Sequence, residues 1–226
     1  MAKIKFGMFM TDARGKVGGQ VFSKNRGGAY VRTKVTPSNA RTSRQVFIRS
    51  LLASISQKWS TLTALQRNSF NESVTSWATT DIFGDSRNPS GKSLFTKLNV
   101  NLVNSGQAQV TVAPNKIDIP VIGITSAIAD ISEEEITLTA SGSFAGGACV
   151  VFATAPQSAG TNFFKGKYRQ IATKVATVPT PTELWEAYVA KFGAPKVGDN
   201  ISLLVQFIGS NGQPSVPVAV KLTTQL

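Results

Sequence analysis

The spacing of apolar residues changes twice along the chain, and each change marks a change of structure. Over residues 3–10, Ile4, Phe6, Met8 and Met10 fall on one side of a period-two pattern, with Lys3 and Lys5 on the other. Two further strand-like runs follow, QVFS and AYVRTKV, separated by KNRGG. Asn and Gly suit the positive φ of a tight turn, so the pair predicts a β-hairpin. In its second run Tyr30, Arg32 and Lys34 share one face, and Val31, Thr33 and Val35 share the other.

From Thr42 onward the spacing becomes helical. Thr42 with Gln45 and Thr63 with Gln66 have the capping-box pattern, in which the Thr side chain and the Gln side chain satisfy each other's backbone amides. Behind the first cap lie Ile48, Leu51, Leu52, Ile55 and Trp59; behind the second lie Phe70, Val74 and Trp77. Ser90 caps a third helix carrying Leu94, Phe95, Leu98 and Leu102, and Gly106 is placed to end it. Each predicted helix has one apolar face, so the three can pack as a small cluster, with Trp59, Phe70 and Trp77 read as core.

Beyond residue 107 a Pro-bearing connector, AQVTVAPNKIDIPVIG, leads into short β-rich runs: EITLTAS, ACVVFATAP, ISLLVQFIG and PVAVKLTTQ. Turn clusters SGSFAGG, KVGDN and GSNGQP separate them, as in an antiparallel sandwich. One helical insert, TELWEAYVAKFG, carries Leu184, Tyr188 and Phe192 at steps of four. The predicted fold class is α+β. An extended basic N-terminal arm with a β-hairpin occupies 1–41, a helical segment 42–106, a connector 107–119, and an immunoglobulin-like or fibronectin-III-like antiparallel β-sandwich 120–226. No Cys–Trp–Cys spacing marks a true antibody-type domain.

Charge sharpens this division. The formal net charge is +12, of which residues 1–50 carry +10, residues 51–113 +2 and residues 114–226 none. The basic head therefore faces something negative: nucleic acid, a membrane surface or an acidic protein. Only 16% of residues are charged, against roughly 25% in an average globular chain, a profile common in proteins of assemblies.

The candidate chemistry is sparse. The sequence has no histidine, which removes the usual neutral-pH base, the His-containing triads and most zinc sites. The acidic run SEEE at 132–135 reads as a solvated turn. The single cysteine, Cys149, sits in an apolar run and reads as a buried, inert thiol. SRNPSGKS at 86–93 imitates the end of a phosphate-binding loop, but Ser86 stands where that motif requires Gly and no βαβ pattern surrounds it. It reads as turn chemistry, with Lys92 a surface charge. No catalytic residue, cofactor, metal or small-molecule substrate is expected. No run of apolar residues reaches the ~18 of a membrane span, and the N-terminus lacks the apolar core of a signal peptide.

Three readings of the basic head compete. As a nucleic-acid binder, Lys16, Lys24, Arg26, Arg32, Lys34, Arg41, Arg44 and Arg49 would neutralise phosphates and Tyr30 would stack on a base, though no known nucleic-acid motif is present. A membrane-facing segment lacks the amphipathic helix this requires. As an assembly arm, the Gly-rich segment would order on a neighbouring subunit, with Lys16, Lys24, Arg26, Tyr30, Arg32, Lys34 and Arg41 at the protein interface.

GKVGGQVFSKNRGGAYVRTKVTPSNARTSRQ, then WSTLTALQRNSF and DIFGDSRNPSGKSLFTKLNVNL, resembles a family of tailed-bacteriophage virion structural proteins found in crAss-like and related phages. The likeness covers residues 1–105 well and continues more weakly through VVFATAP and YVAKFGAPKVGDNISLLVQF. The chain departs from the family pattern at Asn39-Ala40, where the family often has Asn-Pro, and at Phe70, where it has Trp. The resemblance implies a non-enzymatic virion subunit, assembled in the host cytoplasm, whose partners are other virion proteins and copies of itself. A capsid-associated auxiliary or decoration role is favoured. A tail or collar ring component and a DNA-binding protein packaged in the head are the alternatives.

Overall fold

The computed structural model describes residues 2–119, 123–141, 146–158 and 160–225. Residues 142–145 of the expected SGSFAGG turn lie outside them, as do residues 120–122, where the connector was expected to give way to the β-rich part. Among the described residues the chain is α+β, with four α-helices and three sheets.

The N-terminal sheet is built from β1 (Ala2–Lys3), β2 (Gly15–Val17), β3 (Gln20–Asn25) and β4 (Gly28–Thr33), in the order β1-β4-β3-β2 and antiparallel throughout. The expected hairpin is the β3–β4 pair. The alternation over residues 3–10 makes no long strand. Pairing stops soon after Lys3, and a turn closed by the Met10 amide on the Gly7 carbonyl (3.1 Å) leaves Met8 and Met10 exposed. Alternation alone does not make a strand when no partner covers its apolar side.

The helical layer comprises α1 (Ser43–Thr61), α2 (Ala64–Glu72) and, after a 3₁₀ turn at Ser73–Thr75 and a two-strand ribbon of β5 (Thr79–Thr80) and β6 (Ser86–Arg87), α3 (Gly91–Asn104). All three sequence-predicted caps form. Thr42 and Thr63 make complete capping boxes with Gln45 and Gln66, and Ser90 accepts from the Ser93 amide. Gly106 follows α3 at φ +73°, the left-handed position expected of it. Leu51, Ile55, Leu62, Phe70, Trp77, Leu94, Phe95 and Leu98 form one buried cluster. Within it Phe70 meets Phe95 edge-on, with ring centroids 5.2 Å apart. Trp77 belongs to the core as predicted, but it lies beyond the end of α2, on the segment leading into β5. Buried Asn99 stitches the following chain to α3, its amide nitrogen donating to the Phe95 and Val110 carbonyls and its oxygen accepting from the Val110 amide.

The C-terminal part contains β7 (Gly123–Asp130), β8 (Glu135–Ser141), β9 (Ala148–Ala153), β10 (Arg169–Val175), α4 (Pro181–Phe192), β11 (Asn200–Ile208) and β12 (Val218–Gln225). The expected runs appear as β8, β9, β11, β12 and α4. Strands β7 and β10 were not anticipated, because Gly, Ser and Ala dilute the pattern in GITSAIAD and polar residues dilute it in RQIATKV. Where two stacked sheets were expected, the strands join in one curled six-stranded sheet, β10-β9-β11-β12-β7-β8. The join is short. Thr224 and Gln225 of β12 run past the paired end of β11 and align parallel with Ala129 and Asp130 of β7. Helix α4 packs on β8 and on β10, the two end strands. Its Leu184, Trp185 and Tyr188 share one core with Ile136, Cys149, Val151, Ile201, Leu203 and Leu222. Burial pushes the Cys149 thiol up to about 11, so it stays protonated and unreactive at neutral pH.

The helical layer meets the sheet at the β11–β12 turn. The Asn101 side chain donates to the Gly212 carbonyl (2.9 Å), and Gln107 donates to the Ile208 carbonyl (3.1 Å). Gly212 has φ +79°, and a Cβ there would lie 2.6 Å from the Leu98 carbonyl oxygen. Gly212→Ala is therefore expected to cost about 1–3 kcal/mol, read as a drop of several degrees in the thermal midpoint with the fold retained. A second test concerns α4. Lys174 and the Thr180 amide hold the Glu183 carboxyl down at about 2, from an ordinary 4.5. The stabilisation this gives is complete above the ordinary value and is lost as pH falls from about 4.5 to about 2. Gln can replace Glu in the capping box but not in the ion pair. Thermal midpoints at neutral pH should therefore rank wild type, then Glu183→Gln, then Glu183→Ala, with the first two converging as pH falls through that window.

Candidate interaction surface

The N-terminal sheet is shaped by two tight turns. Val17 pairs with Gln20 across Gly18 (φ +55°) and Gly19, and Asn25 pairs with Gly28 across Arg26 and Gly27. The Asn25 side-chain oxygen accepts from the Gly27 amide at 2.8 Å, fixing the second turn. The register then sorts the side chains. Lys3 stands opposite Tyr30, Tyr30 opposite Ser23, and Lys16 opposite Val21, which stands opposite Arg32. Since paired residues share a face, Lys3, Lys16, Tyr30 and Arg32 lie on one side of the sheet. Phe22, Lys24 and Val31 lie on the other.

Of the residues expected at an interface, the sheet thus brings Lys16, Tyr30 and Arg32 onto one face. Lys24 is on the opposite face, Arg26 is in the hairpin turn, and Lys34 lies just past β4, its amide donating to the Gly19 carbonyl (2.8 Å). Arg41 stands apart, at φ +46° immediately before the α1 cap. No residue described between 2 and 50 is buried. Met8 is 88% and Phe9 99% exposed, on the loop between β1 and β2.

The acids of this half are largely taken. Asp81 pairs with Lys3 at 2.6 Å, Asp85 with Lys5 at 2.8 Å and Asp12 with Arg14 at 3.2 Å. Among the described residues, Lys16, Lys24, Arg26, Arg32, Lys34 and Arg41 have no ion pair. Arg44 and Arg49, two candidates for phosphate contact, are instead engaged within the chain. Arg44 donates to Asn104 and to Gln170 (2.7 Å) and lies over the Phe47 ring, and Arg49 donates to Asn39 (2.9 Å).

The sequence reading missed the β5–β6 ribbon. Its turn is organised by Asp81, whose Oδ1 accepts from the Phe83 and Asp85 amides while Oδ2 pairs with Lys3. Asp-Ile-Phe-Gly, with Gly84 at φ +85°, is the signal that could have revealed it. The ribbon and the β3–β4 turn flank a polar cleft of about 310 Å³. At the acidic turn, Asp130 Oδ1 accepts from the Ser132 amide and hydroxyl and from the Glu133 amide, which is turn chemistry. Among the described residues no three His, Cys, Asp or Glu gather as a metal site, and no helix is long and apolar enough to cross a membrane.

Asp81 is one of two acids that tether the N-terminal sheet to the ribbon of the helical layer, with Asp85 the other. Its bonds to Lys3 and then to the Phe83 amide hold its carboxyl below the ordinary 3.8. The tether's contribution is complete above that value and fades as pH falls through the lower, folded one. Asp81→Asn should loosen only the Lys3 strand, read as faster hydrogen exchange at the Ile4 amide. Asp81→Ala should also expose the Phe83 and Asp85 amides.

Comparison with protein-family models, with curated proteins and with solved structures finds no match to this chain.

Proposed function

We propose that the chain is a non-enzymatic structural subunit of a tailed-phage virion, a capsid-associated auxiliary or decoration protein, that docks on a neighbouring subunit through its N-terminal sheet. The observation that carries this reading is the sheet itself. It buries no residue, the loop between β1 and β2 projects Phe9 and Met8 into solvent, and among the described residues its Lys16, Lys24, Arg26 and Arg32 have no ion pair. A small sheet gains independent stability only when one face is covered. A neighbour with an acidic surface and an apolar recess for Phe9 would supply that cover, and β2, a three-residue edge strand, leaves backbone groups open for pairing. The resemblance of residues 1–105 to phage virion proteins supports the same reading.

We also read the six-stranded sheet as a derivative of the immunoglobulin-like sandwich. Taking β9, β10, β11 and β12 as strands C, C′, F and G, the order β10-β9-β11-β12 matches one variable-type sheet. The β7–β8 pair would represent A and B, with α4 in the part of the chain where D and E would run. Residues of β7 and β8 share the core of β9 and β11, as facing layers would.

The unpaired cations favour a second reading, a DNA-binding protein packaged in the head. Deleting residues 1–41 separates the two. On the docking reading the shortened chain keeps the helical and sheet cores but no longer enters virions, and Phe9→Ala weakens incorporation in the full chain. Normal incorporation of the shortened chain would overturn this reading. Tight DNA binding by the intact chain, with a log–log salt slope of about −5 or steeper that the deletion removes, would favour the rival. Imaging of virions carrying the labelled protein distinguishes a capsid position from a tail or collar ring.

A further inference from the structure

We propose that a cleft at the start of α3 is a phosphate-binding site. The inference stands independently of the docking reading. The cleft, of about 380 Å³, is formed where three parts of the chain meet: Arg26 from the β3–β4 turn, Arg87 from β6, and Ser90, Ser93 and Lys97 along one side of α3. No carboxylate lines it. Asp81 and Asp85, in the adjoining cleft, are already paired with Lys3 and Lys5, which leaves Arg26 and Arg87 uncompensated. Lys97 has no ion pair among the described residues either. Three cations and the positive end of a 14-residue helix therefore converge on one concavity.

Trp77 forms part of the wall. It is 6% exposed, and its indole N–H is a buried donor without a partner among the described residues. Buried polar groups are nearly always satisfied, so an unpartnered donor beside an uncompensated cationic cleft marks a place where an acceptor belongs. Phosphate fits better than carboxylate on two counts. A dianion neutralises more of the convergent charge, and tetrahedral oxygens accept from donors arriving from several directions, whereas a carboxylate accepts in one plane. Arginine forks bind either anion bidentately, so the preference rests on charge and on the spread of donor directions. The site is not a phosphate-binding loop in disguise. The SGKS segment supplies only the helix start, and the arginines come from elements about 60 residues apart in the chain.

Arg87 is held by shape as well as charge. Its guanidinium lies against Gly27, where an added Cβ would fall 2.7 Å from Arg87 Cζ. Gly27→Ala should thus push the guanidinium aside without altering any charge.

The test is titration of the full chain with pyrophosphate and, separately, with a short single-stranded oligonucleotide, following the Trp77 indole N–H signal by NMR (assigned with Trp77→Phe) together with calorimetry. Saturable binding that shifts the Trp77 signal is expected. Arg87→Ala and Lys97→Ala should each weaken it roughly tenfold or more, the loss typical of one charged hydrogen bond. Gly27→Ala should weaken it as well, whereas Lys165→Ala, an equal charge change at a distant exposed position, should not. Binding of pyrophosphate identifies a free phosphate compound as sufficient; binding of the oligonucleotide alone, with the same variant pattern, identifies a phosphodiester backbone. The proposal is overturned if neither binds, if a polyglutamate peptide binds in their place, or if Lys165→Ala weakens binding as much as Arg87→Ala. Arg87 and Lys97 lie outside residues 1–41, so failure here leaves the docking reading intact.

Discussion

Helix α4 spans the two end strands of the six-stranded sheet, and the curled C-terminal fold depends on that contact. An open sheet of this size has two exposed edges and an apolar concave face. By packing on β8 and β10 together, α4 covers the sheet with Leu184, Trp185 and Tyr188 and ties its two ends to one helix. The polar contacts at its start act in the same sense. Glu183 completes the cap and pairs with Lys174 of β10 at 2.6 Å. The buried Tyr188 hydroxyl donates to the Thr154 carbonyl, just past β9, so the aromatic core carries no unsatisfied oxygen at that point.

The N-terminal sheet is the opposite case within the same molecule. Its strands pair in register, but among the described residues no helix packs substantially on it and none of its residues is buried. Its attachments to the rest of the chain are polar, the Lys3–Asp81 and Lys5–Asp85 pairs. These use up acids that could have neutralised the arginines of the hairpin turn and of β6. The same arrangement that anchors the sheet therefore leaves its outer surface cationic. That contrast, a self-sufficient neutral part beside a charged sheet without a core, is the physical basis for reading the head as an interaction element.

Local signals were legible in the sequence wherever a few neighbouring residues decide the outcome. Thr42 with Gln45, Thr63 with Gln66, Ser90 and Gly106 each mark a helix end, because capping is satisfied within four residues. The β3–β4 hairpin was legible for the same reason, since Asn25 and the glycines dictate the turn. The apolar stripes identified Ile55, Phe70, Leu94 and Leu98 as core. The uneven division of charge into a basic head and a nearly neutral remainder also follows from the order of residues alone.

What the sequence did not reveal depends on contacts between distant segments. β7 and β10 have weak alternation and are strands because β8, β12 and β9 supply partners. One sheet forms in place of two because the last residues of β12 outrun β11 and meet β7. The charge pattern could not say which cations stay free: Arg44 and Arg49 are consumed by Asn104, Gln170 and Asn39, while Arg26 and Arg87 are spared because lysines reach Asp81 and Asp85 first. Thus the sequence by itself determined the helices, their capped starts, the hairpin and the polarity of charge, all set by neighbours along the chain. Tertiary structure alone decided the sheet topology, the cleft at α3 and the set of uncompensated cations, because each depends on which residues distant in sequence come within a few ångströms of one another.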